Sequence, residues 1–187
     1  MNDRDRKIVE AAFKLFAHYG VKKTTISEIA VEAKVSRQTL YNAFASKEEL
    51  MCGAMHHYAQ KAAGAIAADC EGVEDILERL DIAYRHVAMN PFVGLAQIPH
   101  ADEIMQMVDQ MDGADKDGLM KLYADGVKHA ISPAEANIRE AGVTPDELSV
   151  FIKASFSQIK SNAHDLEHLH RLYSTLKQVL KPILGAA

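Results

Sequence analysis

Between Lys34 and Asn42 the chain gathers side chains suited to one kind of chemistry. Lys34 and Arg37 are cations that match phosphate oxygens, and Gln38 and Asn42 carry amides, the former with the paired donor and acceptor that fit the edge of adenine. Thr39 adds a hydroxyl and a methyl group, while Leu40 and Phe44, four apart, fall on the opposite side of a helix. Polar residues on one short helix commonly do no more than solvate it, so the pattern gains meaning only from what precedes it. Other constellations offer less. His164-Asp165-Leu166-Glu167-His168 has the spacing in which two histidines hold zinc and a glutamate activates water. No third ligand follows from spacing, however, and the run falls where a helix junction is expected. A non-catalytic metal-binding role for His164 and His168 is the minor alternative. Asp115-Lys116-Asp117-Gly118 begins like a calcium loop, yet Gly113 and Ala124 occupy its first and twelfth positions. The chain contains no GxSxG, GxxxxGK[ST] or GxGxxG. The expectation is therefore no enzyme, no cofactor and no dedicated metal site.

Composition sets the bounds. The chain has 187 residues, 48% hydrophobic and 25% charged, which is ordinary for a globular protein of one or two domains. The longest apolar run, Ala62 to Ala68, is far short of the about 20 residues that span a membrane. The first residues, Met1 to Lys7, are charged and precede nothing like a secretion signal, so no membrane association and a cytoplasmic location are expected. Cys52 and Cys70 suit reduced thiols better than a disulfide framework. Net charge is −5, but residues 1–50 carry nine Lys or Arg against seven Asp or Glu, leaving the acidic excess to the remainder. Such a weakly basic segment identifies a nucleic-acid binder only through the arrangement of its charges.

The elements that must position these residues all read as helices. Ile8, Ala11, Ala12, Leu15, Phe16 and Tyr19 share a face, and Gly20 ends that helix. Thr25-Ile26-Ser27-Glu28 is a capping box opening a short helix, and after residues 34 and 35 Ser36 caps a second one through Phe44. Ser46 with Glu49 caps a long helix from about Lys47 to Asp69. Further helices are expected at about 73–89, 92–111 with a break near Pro99, 115–131, 133–141, 145–163 and 165–181. The fold class is all-α: a three-helix, helix-turn-helix segment over 1–48, joined through the long helix to a larger helical domain over 49–187.

A helix-turn-helix lays its second helix in the major groove of DNA. Thr24-Thr25-Ile26-Ser27-Glu28-Ile29-Ala30, Val35-Ser36, Thr39-Leu40-Tyr41, Phe44 and Ser46-Lys47-Glu48-Glu49-Leu50 together resemble the N-terminal domain of the TetR family of bacterial transcriptional regulators. The resemblance covers residues 6–50. It implies backbone contacts from Thr39 and Tyr41, approach to bases by Gln38 and Asn42, and phosphate contacts from Thr25, Ser27 and Lys47. With Lys34, Ser36 and Arg37 these make up the candidate DNA-binding set. Two departures stand out: Lys34 replaces a glycine common in the turn, and Asn42-Ala43 replaces the common aromatic or histidine pair.

The resemblance also implies a homodimer, an operator of near-palindromic sequence, and a small-molecule effector whose binding releases DNA, which is the behaviour of a repressor. Two C-terminal stripes are the physical candidates for dimerisation: Leu148, Phe151, Ile152, Ser155, Phe156 and Ile159, then Leu166, Leu169, Leu172, Tyr173, Leu176, Val179, Leu180 and Ile183. Both stripes as one chain's core is the plainer reading. Effector-lining candidates are Met55, Tyr58, Met89, Phe92, Met105, Val108, Met111 and Tyr123, implying an apolar or amphipathic ligand. Methionines of this kind also serve as ordinary core filling. A DNA-binding architectural protein without an effector is the competing reading.

Overall fold

The computed structural model describes residues 1–186, which contain α-helices and short helical turns and no strand. The order is α1 (Asp3–Tyr19), α2 (Ile26–Glu32), α3 (Arg37–Ala43), α4 (Lys47–Asp69), α5 (Ile76–Tyr84), a π turn (Arg85–Met89) and α6 (Asn90–Ala96). Then come α7 (Ala101–Asp109), α8 (Gly113–Ile131), a 3-10 turn (Ser132–Ala134), α9 (Glu135–Glu140), α10 (Pro145–Asn162) and α11 (Leu166–Leu180).

Caps explain most of these boundaries. Thr25 and Glu28 satisfy each other's free amides at the start of α2, and Ser36 accepts from the Thr39 N–H at 3.0 Å to start α3. At α4, Ser46 Oγ accepts from Glu49 N–H, while the Glu49 carboxylate reaches back one residue further than expected, to the Ala45 N–H at 2.7 Å. Thr144 and Glu147 form a second reciprocal pair at α10, with Pro145 in the first turn where its missing N–H costs nothing. Asp165 caps α11 through the His168 N–H at 2.7 Å.

One boundary differs from the expectation. Instead of a helix ending at 89 and another beginning at 92, α5, the π turn and α6 run on without interruption from Ile76 to Ala96. The reason lies at Pro91, which cannot donate to a carbonyl in the preceding turn. The wider turn, in which the Asn90 N–H bonds the Arg85 carbonyl five residues back, absorbs that misfit without breaking the helix.

The chain packs into two compact units, which divide it differently from the boundary expected at residue 48. The first comprises Met1–Ala59 and Leu95–Leu119. Its core is Ile8, Ala12, Phe16, Ile29, Ala30, Leu40, Leu50 and Met51, joined by Ile104 of α7, with Ile98 and Met107 packed alongside. Thus α1, α2, α3 and the start of α4 enclose one apolar centre, and α7 seals it.

The second unit comprises Gln60–Gly94 and Met120–Ala187. Ile66, Leu80, Val127, Ile131, Ile138, Ile152, Phe156, Leu169 and Leu180 form its centre. Tyr84 and Tyr173 stack within it, ring centroids 3.7 Å apart and planes nearly parallel, with Phe156 tilted against both. Tyr173 donates to Asp81, which also receives Lys177 at 2.6 Å. Burial, followed by the neighbouring Asp81 carboxylate, pushes the Tyr173 hydroxyl well above the usual range. Arg79 lies almost wholly buried and donates to the carbonyls of Cys70, Val73, His129 and Ala130 at 2.7–3.3 Å. Cys70 follows directly on α4, and His129 and Ala130 lie in the last turn of α8, so one guanidinium helps to close two helix termini and also holds the connection at Val73.

Candidate nucleic-acid interface

The turn between α2 and α3 is closed by a specific backbone pattern. The Val35 N–H bonds the Ala30 carbonyl at 2.9 Å and the Lys34 N–H bonds the Val31 carbonyl at 3.1 Å, the paired bonds of a Schellman motif. Its left-handed position is Lys34, at φ 56°, the only non-glycine residue with positive φ among those described. The turn therefore keeps its geometry although lysine stands where glycine is common. For an L-residue that conformation costs about 1–2 kcal/mol, against about 0.5–1 kcal/mol of extra chain entropy lost by glycine. Lys34→Gly is expected to stabilise the protein by about 0.5–1 kcal/mol in urea unfolding. If Lys34 meets a phosphate, the same variant binds DNA more weakly, with a salt slope about 0.9 shallower per subunit. A drop in unfolding midpoint would contradict the backbone argument.

From this turn α3 projects its polar side outward. Ser36, Arg37, Gln38, Tyr41 and Asn42 are exposed, Thr39 is half-buried, and Leu40 is fully buried in the first core. Tyr41 stands out for an aromatic residue, with 47% of its surface open to solvent. Gln38 Nε2 donates to Asn42 Oδ1 at 2.8 Å, one helical turn away. That bond orients both amides and leaves the Gln38 carbonyl oxygen and the Asn42 NH2 to meet base edges. Ser36 Oγ and Thr39 Oγ1 lie 2.8 Å apart at the N-terminus of the helix.

The remaining candidates flank this face. Thr25 is exposed and Ser27 half-buried at the start of α2. Hydrogen bonds from Thr25, first from its backbone N–H and then from its hydroxyl, hold the Glu28 carboxyl below its usual range. Lys47 donates from Nζ to the Val21 carbonyl at 2.8 Å, so its ammonium is tied to the α1–α2 connection. Spacing gives no sign of that bond, nor of Glu103. The Glu103 carboxylate accepts from the Lys22 N–H at 3.0 Å, and a Cβ on Gly20, at φ 86°, would meet it at 3.0 Å. An α7 residue thus grips the loop that leads into α2.

The effector-lining candidates divide between the units: Met55, Tyr58, Met105, Val108 and Met111 in the first, and Met89, Phe92 and Tyr123 in the second. Met55 packs against the first core and Tyr58 against Phe13, ring centroids 4.8 Å apart. Val108 and Met111 are half-buried and Met105 is exposed. Met89, Phe92 and Tyr123 pack against the second core. Burial pushes the Tyr58 and Tyr123 hydroxyls up. His164 and His168 sit at the start of α11, their Nδ1 atoms 2.7 Å apart, with Asp165 committed to the helix cap.

A recognition helix presented by a capped turn on a three-helix core defines the class: a helix-turn-helix DNA-binding domain. Residues 8–52 match the family described as bacterial regulatory proteins, tetR family, so the resemblance carried by the capped turn and α3 extends over the N-terminal segment as a whole. The HTH-type transcriptional regulator YuxN of Bacillus subtilis is 39% identical over 61 residues, covering 33% of this chain and 21% of its own length. The chain thus spans about a fifth of that relative. Likeness of fold extends further. The tetR family repressor AlkX of Dietzia, implicated in biodegradation of n-alkanes, superposes with TM-score 0.66 at 19% identity over 97% of this chain and 96% of its own. The repressor FadR of Thermus thermophilus, solved with lauroyl-CoA, gives 0.62 at 17% identity, over 95% and 94%.

Proposed function

We propose that this protein is a homodimeric transcriptional repressor that reads a near-palindromic operator through α3 and releases it on binding an apolar or amphipathic small molecule. The observation that carries the reading is the exposed row Arg37, Gln38, Tyr41 and Asn42 on a helix whose other side is anchored by Leu40. Lys34, Ser36 and Thr39 extend that row at the turn, and Thr25, Ser27 and Lys47 border it. Binding to the DNA flanking its own gene, compared with random DNA across a salt series, tests it. Tight binding to the flanking DNA alone supports operator reading; equal weak binding to both rejects it.

Dimerisation is assigned to α10 and α11. Leu148, Ile152, Phe156, Leu169, Tyr173 and Leu180 are buried in the second unit, whereas Val150, Phe151, Leu166 and Val179 are 43–61% exposed on the same two helices. One side of each helix is thus spent on the chain's own core and another is free for an isologous contact. Phe151→Glu is expected to convert a dimer into a monomer in light scattering at micromolar concentration, with unchanged helical content. A variant that remains dimeric would place the interface elsewhere.

Support for an effector comes from the acyl-CoA held by the Thermus protein of similar fold. A native-state ligand at 100 times its dissociation constant adds about 2.7 kcal/mol of stability, so a thermal-shift panel that includes fatty acyl compounds detects it.

A further inference from the structure

One cluster in the first unit takes no part in the DNA-facing row. Cys52 and His56 lie one turn apart on α4, and Asp115 stands in the first turn of α8. All three are half-buried, and one ligand atom from each falls within 4.8 Å of the others. Cys52 Sγ and His56 Nδ1 are 3.5 Å apart. Two ligands of a tetrahedral zinc ion, with Zn–S about 2.3 Å and Zn–N about 2.0–2.1 Å, stand about 3.5 Å from each other. Gly118, one turn beyond Asp115, makes room for the imidazole: a Cβ there would lie 3.2 Å from Nε2. The surroundings are anionic. Asp112 accepts from the Asp115 N–H at 2.7 Å, and Asp112 and Glu49 both act electrostatically on the Cys52 sulfur.

We propose that Cys52, His56 and Asp115 form a binding site for a borderline-soft divalent transition-metal ion, zinc being the best match to one thiolate, one imidazole and one carboxylate. Magnesium and calcium prefer all-oxygen sites, which this is not. Three protein ligands leave a fourth position for water or an exogenous donor. The proposal is independent of whether the chain reads DNA. Its structural effect is to tie α4 to the start of α8, segments far apart in sequence but within one compact unit.

Titration of the purified, reduced protein with Co2+ tests the site, because cobalt bound to thiolate gives a ligand-to-metal charge-transfer band that oxygen and nitrogen ligands do not. The expected result is one equivalent per chain with that band, its abolition in Cys52→Ser, and at least tenfold weaker binding in His56→Gln and in Asp115→Asn. His164→Ala should leave both band and stoichiometry unchanged. Zn2+ should displace Co2+ and raise the thermal midpoint of the wild type but not of Cys52→Ser, a readout that also checks the variant's folding. Absence of the band, its survival in Cys52→Ser, or its loss in His164→Ala would overturn the assignment.

Discussion

Gln38→Ala and Tyr41→Ala are expected to weaken operator binding strongly while leaving the fold intact. Both side chains are exposed on α3, outside the first core, so truncation removes little packing. A well-placed amide on a base edge is worth about 1–3 kcal/mol, and a twofold dimer loses it twice, giving about 2–6 kcal/mol, or roughly 30-fold to more than 10,000-fold in affinity. The two variants should fail differently. Gln38→Ala relaxes preference at one position in each half-site and also frees Asn42 from the hydrogen bond that orients it. Tyr41→Ala, read as losing a backbone contact, lowers affinity for all sequences alike. Competition binding with operators substituted base by base separates the two. Wild-type affinity in both variants would move the recognition surface off α3.

The largest loss of stability is expected at Arg79. Its guanidinium reaches four carbonyls, those of Cys70 and Val73 beyond α4 and of His129 and Ala130 in the last turn of α8, and the residue is only 8% exposed. Arg79→Met keeps much of the volume but removes those bonds; the Cys70 carbonyl keeps the Val73 N–H and the His129 carbonyl keeps the Ser132 hydroxyl, so at about 1–3 kcal/mol per buried group left unsatisfied, partly relieved by relaxation, the loss should be about 3 kcal/mol. That is a large share of the about 5–15 kcal/mol that holds a domain folded. Arg79→Lys should recover less than half of it, because a single ammonium cannot span the fork of acceptors. Urea unfolding of the three proteins gives the comparison, and a loss below about 1 kcal/mol for Arg79→Met would mean that water replaces the guanidinium freely.

Much of the DNA-facing segment was legible because its signals are local. Thr25, Glu28, Ser36 and Ser46 announce helix starts within three residues, and the structure places α2, α3 and α4 there. The polar row of α3 follows from Leu40 and Phe44 alone. The left-handed Lys34 was half legible: the turn could be placed, but its backbone pattern depends on Ala30 and Val31 carbonyls that have no sequence signature. What spacing could not reveal are contacts between distant segments. Lys47 with Val21, Glu103 with Lys22, Arg79 with the end of α8, and Asp115 beside Cys52 and His56 all join residues that only the tertiary fold brings together. Nor does a proline dictate between ending a helix and widening it. At Pro91 the choice went to widening, and the helical signal on both sides of it is equally good either way.

That choice has a consequence for how the two halves of the long α5–α6 rod are keyed. A π turn holds about one residue more than an α turn, so everything after Met89 is advanced by one position, roughly 100° of rotation, relative to an uninterrupted helix. Ile82 and Ala83 on one side, and Phe92 on the other, therefore face the second core under two separate phase settings rather than one. The rod behaves as two helices spliced with a built-in phase shift, and a single heptad-style ruler laid along it would place half of its residues on the wrong face.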